Sequence, residues 1–264
     1  MTGFEGKTVL VTGGNRGLGL GFAERFASQL ARVAIMGRDE KALKAGAELL
    51  RAVPGVAGVS THVGTVTTEA DVERVLDEVI EIHGRLDAVV NNAGIADEAW
   101  FMDITLDGWN KVIATNLTGP FLMTQRAARR MDNGGAIVNI TSVDAHAADG
   151  PYASYVAAKA GLIGLTKASA TELAHLNIRV NTVSPGWTLT QMAEESIRPE
   201  VLDRMKSNFA RVPMRRMVTV PEVAAAVAFL ASDDASGITG TEVIVDGGTL
   251  ANLYILETLD MDGS

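Results

Sequence analysis

The 264-residue sequence predicts a single-domain α/β fold, a doubly wound and mainly parallel sheet of seven strands flanked by helices. Two observations predict it. Short β-rich runs alternate with longer amphipathic or Ala-rich stretches from Lys7 onward, which is typical of repeated βα units. The short runs are apolar almost throughout, as expected of strands buried on both faces of a sheet. The length suits one α/β domain, and no stretch has the composition of a linker.

The elements follow one another in a regular order. Start signals support two of the helices: Thr68 can cap the third, and Pro221 with Glu222 suits the first turn of the last. The predicted strands are Thr8–Thr12, Arg32–Met36, Val56–His62, Ala88–Asn91, Gly135–Thr141, Arg179–Ser184 and Glu242–Val245. The predicted helices are Leu18–Leu30, Lys41–Val53, Glu69–His83, Thr105–Arg130, Tyr152–Ala174 and Pro221–Ala231.

Two segments fall outside this alternation. Residues 187–220 form a long mixed stretch after the sixth predicted strand, and such a stretch is long enough to be a lid over a pocket. Residues 249–264 form a tail that includes the apolar run Leu253–Leu256. We expect this run to pack on a neighbouring subunit, with a contact inside the same chain as the alternative.

Composition excludes several kinds of chemistry and partner. Cysteine is absent, which excludes disulfides, thiolate nucleophiles and zinc–thiolate sites. The four histidines are scattered, so we expect no metal site, although an oxygen-only Mg²⁺ site remains an alternative. The net charge is −9 without a basic block, which argues against nucleic acid and anionic membranes and favours a small-molecule partner. No apolar run has membrane-spanning length and no secretory signal is evident, so a cytoplasmic location is expected.

A glycine-rich turn follows the first predicted strand. Gly13, Gly17 and Gly19 stand between that strand and a helix, where glycine lets the backbone approach a pyrophosphate and the helix N–H groups favour an anion. The spacing differs from GxGxxG, and the absence of a Lys-Ser or Lys-Thr pair excludes a P-loop. The motif therefore predicts a dinucleotide site, with an ordinary strand–turn–helix as the alternative.

Four further side chains could carry proton chemistry. Tyr155 and Lys159 lie one turn apart on a predicted helix, and an ammonium near a phenol favours the phenolate. Ser142 follows an apolar strand, at the edge where open α/β sheets bind ligands. The alternatives are a solvated helix face for the pair, a turn or cap for Ser142, and a helix-bending polar residue for Asn116.

Together these motifs resemble the short-chain dehydrogenases/reductases over nearly the whole chain. The resemblance implies a Rossmann-type fold, an oxidoreductase that transfers hydride between a nicotinamide cofactor and a carbonyl or secondary alcohol, and a homotetramer. It is carried by TGxxxGxG at Thr12–Gly19, NNAG at Asn91–Gly94, Asn116, Ser142, YxxxK at Tyr155 to Lys159, and Pro185–Gly186 with Thr190.

The resemblance also implies a role for each residue. Tyr155 is the general acid in reduction and the general base in oxidation, and Ser142 holds the substrate carbonyl oxygen. Lys159 binds the nicotinamide ribose and favours the Tyr155 phenolate, while Asn116 positions a water behind Lys159. The implied cofactor-binding residues are Gly13, Asn15, Arg16, Gly17, Leu18, Gly19, Arg38, Asp39, Asn92, Ala93, Gly94, Tyr155, Lys159, Pro185, Gly186, Thr188 and Thr190.

Charge at the second strand predicts NADP(H) as the cofactor. NAD-preferring members of the family resemble one another in carrying an acidic residue at the end of the second strand, where it bonds the adenosine ribose and would repel a 2′-phosphate. This chain has Gly37 at that position. Arg38 follows, and Arg16 stands in the glycine-rich turn, so two guanidiniums could converge on a phosphate. In the alternative, both arginines are solvated and Asp39 binds the ribose.

Two positions depart from the family pattern. Thr65 stands where an Asp often contacts adenine, which weakens or remakes that hydrogen bond. Leu30 stands where relatives often have glycine, so we expect the first helix to end without a left-handed glycine cap.

The substrate is left open at this stage. Polar residues after Ser142 and apolar residues in the predicted lid suggest a pocket with apolar walls and a polar rim, with core packing as the alternative for the Met and Phe positions. Sugars, polyols, cyclic ketones and acyl thioesters are all substrates of relatives. An NADPH-binding sensor or scaffold protein is the alternative function. The residues in question are Asp144, His146, Asp149, Trp187, Met192, Met205 and Phe209.

Overall fold

The structure is a computed structural model, and it describes residues 3–190, 193–194 and 197–252. The strands in this part of the chain are β1 (Thr8–Thr12), β2 (Arg32–Gly37), β3 (Gly58–Val63), β4 (Ala88–Asn91), β5 (Gly135–Ile140), β6 (Ile178–Pro185), β7 (Thr188–Leu189), β8 (Val218–Thr219) and β9 (Glu242–Val245). The helices of eight or more residues are α1 (Gly17–Ala27), α2 (Glu40–Arg51), α3 (Glu69–His83), α4 (Leu106–Ile113), α5 (Gly119–Ala128), α6 (Ala153–Leu173), α7 (Pro199–Ser207) and α8 (Val220–Ala231).

Seven of the strands form one sheet in the order β3-β2-β1-β4-β5-β6-β9, and every neighbouring pair is parallel. The winding reverses between β1 and β4, so the predicted doubly wound α/β fold is confirmed. Such a reversal opens a crevice at the carboxyl ends of the strands, where α/β sheets bind ligands. The short strands β7 and β8 pair with each other outside this sheet.

Alternation along the strands gives the sheet two apolar faces. Val9 and Val11 belong to the core cluster on one face, and Leu10 belongs to the cluster on the other. On the first face α1 and α8 cover the sheet, and Phe26 there meets the ring of Phe4 edge-on at 4.8 Å. On the second face α3, α5 and α6 cover it. Burial on both faces explains why the strands were recognisable as apolar runs.

The predicted helix Thr105–Arg130 is wrong in one respect, because a π-helical turn (Ala114–Thr118) separates α4 from α5. Pro120 stands at the start of α5 and has no N–H to continue the hydrogen-bond ladder. Single π-helical turns occur frequently at functional sites. This turn contains Asn116, one of the predicted site residues.

Leu30 ends the first helical segment in an unexpected way. It adopts the left-handed conformation itself, with φ of 68°, while the Ala31 N–H bonds the carbonyl of Phe26 at 3.2 Å. The helical segment therefore does end in a left-handed residue, and that residue is Leu30. Glycine at this position would adopt the same conformation without a steric cost.

The other helix signals had mixed outcomes. Thr68 occupies the N-cap position of α3, but its side chain makes no capping bond to the backbone. Glu222 accepts the Thr219 N–H at 2.7 Å in a capping box at the start of α8. The apolar tail run Leu253–Leu256 lies outside the described residues. Within residues 3–190, 193–194 and 197–252, no helix is long and apolar enough to cross a membrane.

Candidate active site

The glycine-rich turn joins β1 to α1 at the carboxyl edge of the sheet. Gly13 and Gly17 have φ of 65° and 54°, which side chains disfavour. A Cβ at Gly19 would lie 2.1 Å from the Gly13 carbonyl oxygen, so only glycine fits there. The first turn of α1 has no acidic residue and no side-chain cap, which leaves its N–H groups for an anion. The turn therefore fits the pyrophosphate of a dinucleotide.

The segment after β4 is fastened to this turn. The Asn92 side chain donates to the carbonyl oxygens of Thr12 at 2.9 Å and Gly13 at 3.2 Å. The N–H groups of Asn92 and Ala93 both donate to the Thr12 hydroxyl at 3.0 Å. A Cβ at Gly94 would stand 3.3 Å from Asn116 Oδ1 and 3.6 Å from Lys159 Nζ. The loop thus connects the glycine-rich turn to two predicted catalytic residues.

The groups predicted to select NADP(H) lie around the end of β2. Arg16 and Arg38 are exposed, and in the described part of the chain neither side chain has a hydrogen-bond or ion-pair partner. Asp39 caps α2 by accepting the Ala42 N–H at 3.0 Å, so one of its oxygens is already engaged. A Cβ at Gly37 would lie 3.0 Å from Asn15 Oδ1. The turn and the strand end therefore lie side by side, with both guanidiniums unpaired.

The residues after β6 close the opposite end of the crevice. The Gly186 N–H donates to the Val245 carbonyl at 2.9 Å, and a Cβ at Gly186 would lie 2.8 Å from Asp246 Cβ. The Thr188 hydroxyl donates to the Gly186 carbonyl at 2.9 Å, and Thr190 Oγ1 accepts the Ala193 N–H at 3.2 Å. Pro185, the last residue of β6, is buried.

The YxxxK pair and Ser142 meet at the end of β5. Ser142 is the first residue after Thr141, and its hydroxyl interacts with the Tyr155 phenol, whose pKa it lowers. Lys159 is 4% exposed, donates to the Ile140 carbonyl at 2.7 Å, and has its Nζ 5.4 Å from the Tyr155 ring centroid. The structure therefore brings together three residues that the chain separates by up to 17 positions.

The electrostatics of Tyr155 differ from the expectation. Burial raises its pKa to about 12; the Ser142 hydrogen bond opposes this rise, and the carboxylates of Asp144 and Asp149 add to it. Burial lowers the pKa of Lys159 to about 8, and its Nζ is directed to a carbonyl oxygen rather than to the phenol. The expectation that Lys159 lowers the pKa of Tyr155 is therefore wrong for the protein without cofactor. At neutral pH the phenol is protonated, as a proton donor must be.

Asn116 is fully buried in the π-helical turn. Its Oδ1 accepts the Ile95 N–H at 2.9 Å, and its Nδ2 donates to the Ile95 carbonyl at 2.8 Å. The side chain therefore bonds the backbone of the loop after β4 rather than its own helix. It fastens that loop to the π-helical turn.

One contact at the site had no signal in the sequence. The Ser142 hydroxyl lies 3.2 Å from Asp144 Oδ2, to which it donates, and accepts the Asp144 N–H at 3.1 Å. Burial raises the pKa of Asp144 to about 6, and the neighbouring charge of Asp149 adds to the rise. Sequence reasoning placed Asp144 and Asp149 on a pocket rim but did not connect either with Ser142.

A cleft of about 1020 Å³ opens beside Asp144. Trp187 and Phe209 line it from the predicted lid segment, with ring centroids 6.1 Å apart and edge-on. Met205 lines it too, yet it is buried and packs in a small apolar cluster, so both expectations for this residue hold. Met192 lies outside the described residues. A second cleft, of about 410 Å³ and with a largely charged lining, lies at the opposite edge of the sheet.

Two histidines that are distant in sequence meet on β3 and α3. The Ser60 hydroxyl lies 2.8 Å from Nε2 of both His62 and His83, and His62 Nδ1 lies 2.8 Å from Glu78 Oε2. The arrangement resembles a charge-relay chain, but Ser60 is buried and lines neither of the two clefts described above. In the described ranges, no three His, Asp or Glu side chains form a group that could hold a metal ion.

Comparison with known proteins agrees with this geometry. A family model described as enoyl-(acyl carrier protein) reductase matches residues 13–249. The 3-oxoacyl-[acyl-carrier-protein] reductase MabA of Mycobacterium avium is 39% identical over 250 residues, covering 93% of this chain and 90% of that protein. A short-chain type dehydrogenase/reductase of Mycobacterium marinum superposes with a TM-score of 0.87 at 32% identity, over 95% of this chain and 98% of that one. Levodione reductase superposes with a TM-score of 0.87 at 35% identity, over 94% of this chain and 99% of that one. The chain therefore belongs to the short-chain dehydrogenase/reductase family of oxidoreductases.

Proposed function

We propose that the protein is an NADP(H)-dependent reductase of carbonyl compounds, which also oxidises the corresponding secondary alcohols. The observation that carries the proposal is the convergence of Ser142, Tyr155 and Lys159 at the end of β5, beside a glycine-rich turn that fits a dinucleotide. No metal ligand is needed for this chemistry.

In reduction, the bound cofactor supplies a hydride to the carbonyl carbon. The Tyr155 phenol donates its proton to the carbonyl oxygen, and the raised pKa of Tyr155 keeps that proton in place until negative charge develops there. Ser142 gives the same oxygen a second hydrogen bond. Lys159 places its positive charge within 5.4 Å of the phenol ring, close to the phenolate that remains. Asn116 holds the loop after β4 in place through its two hydrogen bonds to the Ile95 backbone.

The preference for NADP(H) is supported by charge at the end of β2. Arg16 and Arg38 are exposed and, among the described residues, unpaired, and a phosphate would give both guanidiniums a partner. Gly37 presents no carboxylate that would repel the phosphate. Asp39, the alternative ribose ligand, already accepts a backbone N–H of α2.

For the substrate we propose a ketone with an apolar body. Apolar side chains form much of the wall of the 1020 Å³ cleft, and the carboxyl groups of Asp144 and Asp149 lie on the same wall. Two relatives bear names of matching chemistry, since a 3-oxoacyl group and a dione both contain a ketone. The apolar lining residues are Val143, Ala147, Ala148, Trp187, Ile197, Val201, Met205, Phe209, Ala210, Val212, Ile244 and Leu250.

The test is NADPH oxidation against 3-oxoacyl thioesters, cyclic diketones, simple ketones and aldehydes, with wild type and Tyr155→Phe in parallel. We expect wild type to reduce at least one ketone, and the phenylalanine variant to bind NADPH equally well while losing at least 100-fold in kcat, a typical contribution of a general acid. Tight NADPH binding without turnover of any compound would instead favour the sensor function.

We further propose a homotetramer. Trp100, Phe101, Met102 and Leu106 are 72%, 75%, 90% and 73% exposed, an unusual run of large apolar side chains in contact with water. The apolar tail run Leu253–Leu256, which is predicted to pack on a neighbour, lies outside the described residues. Sedimentation of wild type, of Phe101→Ser and of a chain ending at Gly248 tests both surfaces. A tetramer that dissociates in either variant supports the proposal, and a monomeric wild type refutes it.

A further inference from the structure

The single proton of the Ser142 hydroxyl is engaged by Asp144. That proton is donated to Asp144 Oδ2 across 3.2 Å, while the Ser142 oxygen accepts the Asp144 N–H at 3.1 Å. A hydroxyl has one proton to donate. In the proposed reaction the same proton must point to the substrate carbonyl oxygen, so the carboxylate and the substrate compete for it.

The surroundings of Asp144 are mostly acidic or phenolic. Asp149 shares a hydrogen bond with it, and Tyr152, which itself donates to Glu98 at 3.3 Å, lies close enough for its pKa to be raised by the charge of Asp144. On the lid side, two exposed arginines line the same cleft. The charged or titratable groups around Asp144 are His146 and Asp149 on its own loop, Tyr152, Tyr155 and Lys159 on α6, Glu98 behind Tyr152, Glu242 of β9 paired with His146, and Arg204 and Arg211 of the lid segment.

We propose that Asp144 is a positioning residue of the reductase: its carboxylate holds the Ser142 proton away from the substrate, and protonation of Asp144 releases that proton to the carbonyl oxygen. The proposal rests on the proposed function. Its proton balance is simple, because Asp144 takes one proton from solvent and the Ser142 proton changes its acceptor without leaving the serine.

The direction of the pH effect follows from the surroundings. Burial, with a contribution from the Asp149 charge, places the pKa of Asp144 at about 6, so the neutral carboxyl predominates below that pH. We therefore expect kcat/KM for carbonyl reduction to rise about fivefold as pH falls through about 6, since a competing hydrogen bond to a charged group is removed. The 3.2 Å bond is long for a hydroxyl donor, which keeps the expected effect modest.

Two amide variants separate this role from a merely structural one. In Asp144→Asn the group cannot titrate, so the step near pH 6 should vanish from the profile of kcat/KM. In Asp149→Asn the charge that raises the Asp144 pKa is gone, so the step should persist but move to lower pH. Asp234→Asn, an exposed acid remote from the cleft, should leave the profile unchanged. Initial rates are corrected for acid decomposition of NADPH in enzyme-free blanks.

A second measurement needs no turnover. The carboxyl carbon of Asp144 is followed by carbon-13 NMR in the free protein and assigned by its absence in Asp144→Asn. Because the Ser142 hydrogen bond stabilises the ionised carboxylate, Ser142→Ala should move the Asp144 titration to higher pH.

The outcomes distinguish the two proposals. A wild type that reduces no carbonyl compound refutes the reductase and the positioning role together. An active wild type whose step near pH 6 survives Asp144→Asn refutes the positioning role alone, as does a Ser142→Ala titration identical to wild type. Loss of the step in Asp144→Asn, with its displacement in Asp149→Asn, supports the proposal.

Discussion

Removing the two unpaired arginines at the end of β2 should weaken NADPH binding and leave NADH binding unchanged. A guanidinium on a phosphate is a charge-assisted hydrogen bond worth about 1.5–3 kcal/mol when well formed, and less at an exposed site. Arg16 and Arg38 are both exposed, so we take about 1–2 kcal/mol for each, or about 5- to 30-fold in Kd. The loss should shrink as salt is raised, because exposed charges are screened.

The assay is a fluorescence titration of each variant with NADPH and NADH, read as the ratio of the two dissociation constants. Arg16→Ala and Arg38→Ala should each lower the preference for NADPH, and the double variant should lower it further. Arg51→Ala is the matched control, since Arg51 is an exposed arginine in the last turn of α2. Equal affinity of wild type for the two cofactors, or tighter NADH binding, would refute the reasoning.

Asp39 provides the decisive comparison with the alternative. Its carboxylate caps α2 through the Ala42 N–H, so Asp39→Asn, which keeps an acceptor oxygen, should change neither cofactor's affinity. If Asp39 held the adenosine ribose, the same substitution would weaken NADH binding selectively.

Three further predictions concern stability. The left-handed backbone of Leu30 costs about 1–2 kcal/mol, so Leu30→Gly should unfold about 2–4 °C above Leu30→Ala in a thermal scan. Ser28 is the control, because its φ is −66°; there the glycine variant should be less stable than the alanine variant. At the end of α3, burial lowers the pKa of His83 from 6.5, so protonation disfavours the folded state. The free energy of unfolding should therefore fall as pH drops below about 6.5, and His83→Gln should flatten that fall in urea titrations. Ser60→Ala should cost about 1–3 kcal/mol at neutral pH by leaving both imidazoles without their shared partner, and no change in urea midpoint would contradict that role.

Much of the fold could be predicted because burial on both faces leaves a direct mark on the sequence. The strands alternate between two apolar clusters, as Val9, Leu10 and Val11 do, so their residues are apolar at successive positions. The position of the glycine-rich turn, Asn92 and Ser142 could be predicted for a related reason. They follow the carboxyl ends of parallel strands, and those ends share one edge of the sheet.

What the sequence did not predict depends on contacts between residues distant in the chain or on backbone conformation. Asn116 lies in a π-helical turn that bonds Ile95, a partner 21 positions away, and no periodicity encodes that bond. The meeting of His62 and His83 requires β3 to lie against α3. Leu30 keeps a positive φ because the surrounding structure outweighs its local preference.

The protonation state of Tyr155 could not be predicted from its spacing to Lys159. A lysine one turn away was expected to favour the phenolate, but burial penalises charge on both groups, and the acidic pair nearby opposes a second negative charge. The free protein therefore holds a protonated phenol with a pKa of about 12 beside an Asp144 carboxyl that titrates at about 6. At neutral pH the protonated phenol, the form that donates a proton to a carbonyl, therefore predominates, and the phenolate that would accept a proton from an alcohol is scarce. We therefore expect carbonyl reduction to proceed at neutral pH and alcohol oxidation to require a markedly higher pH.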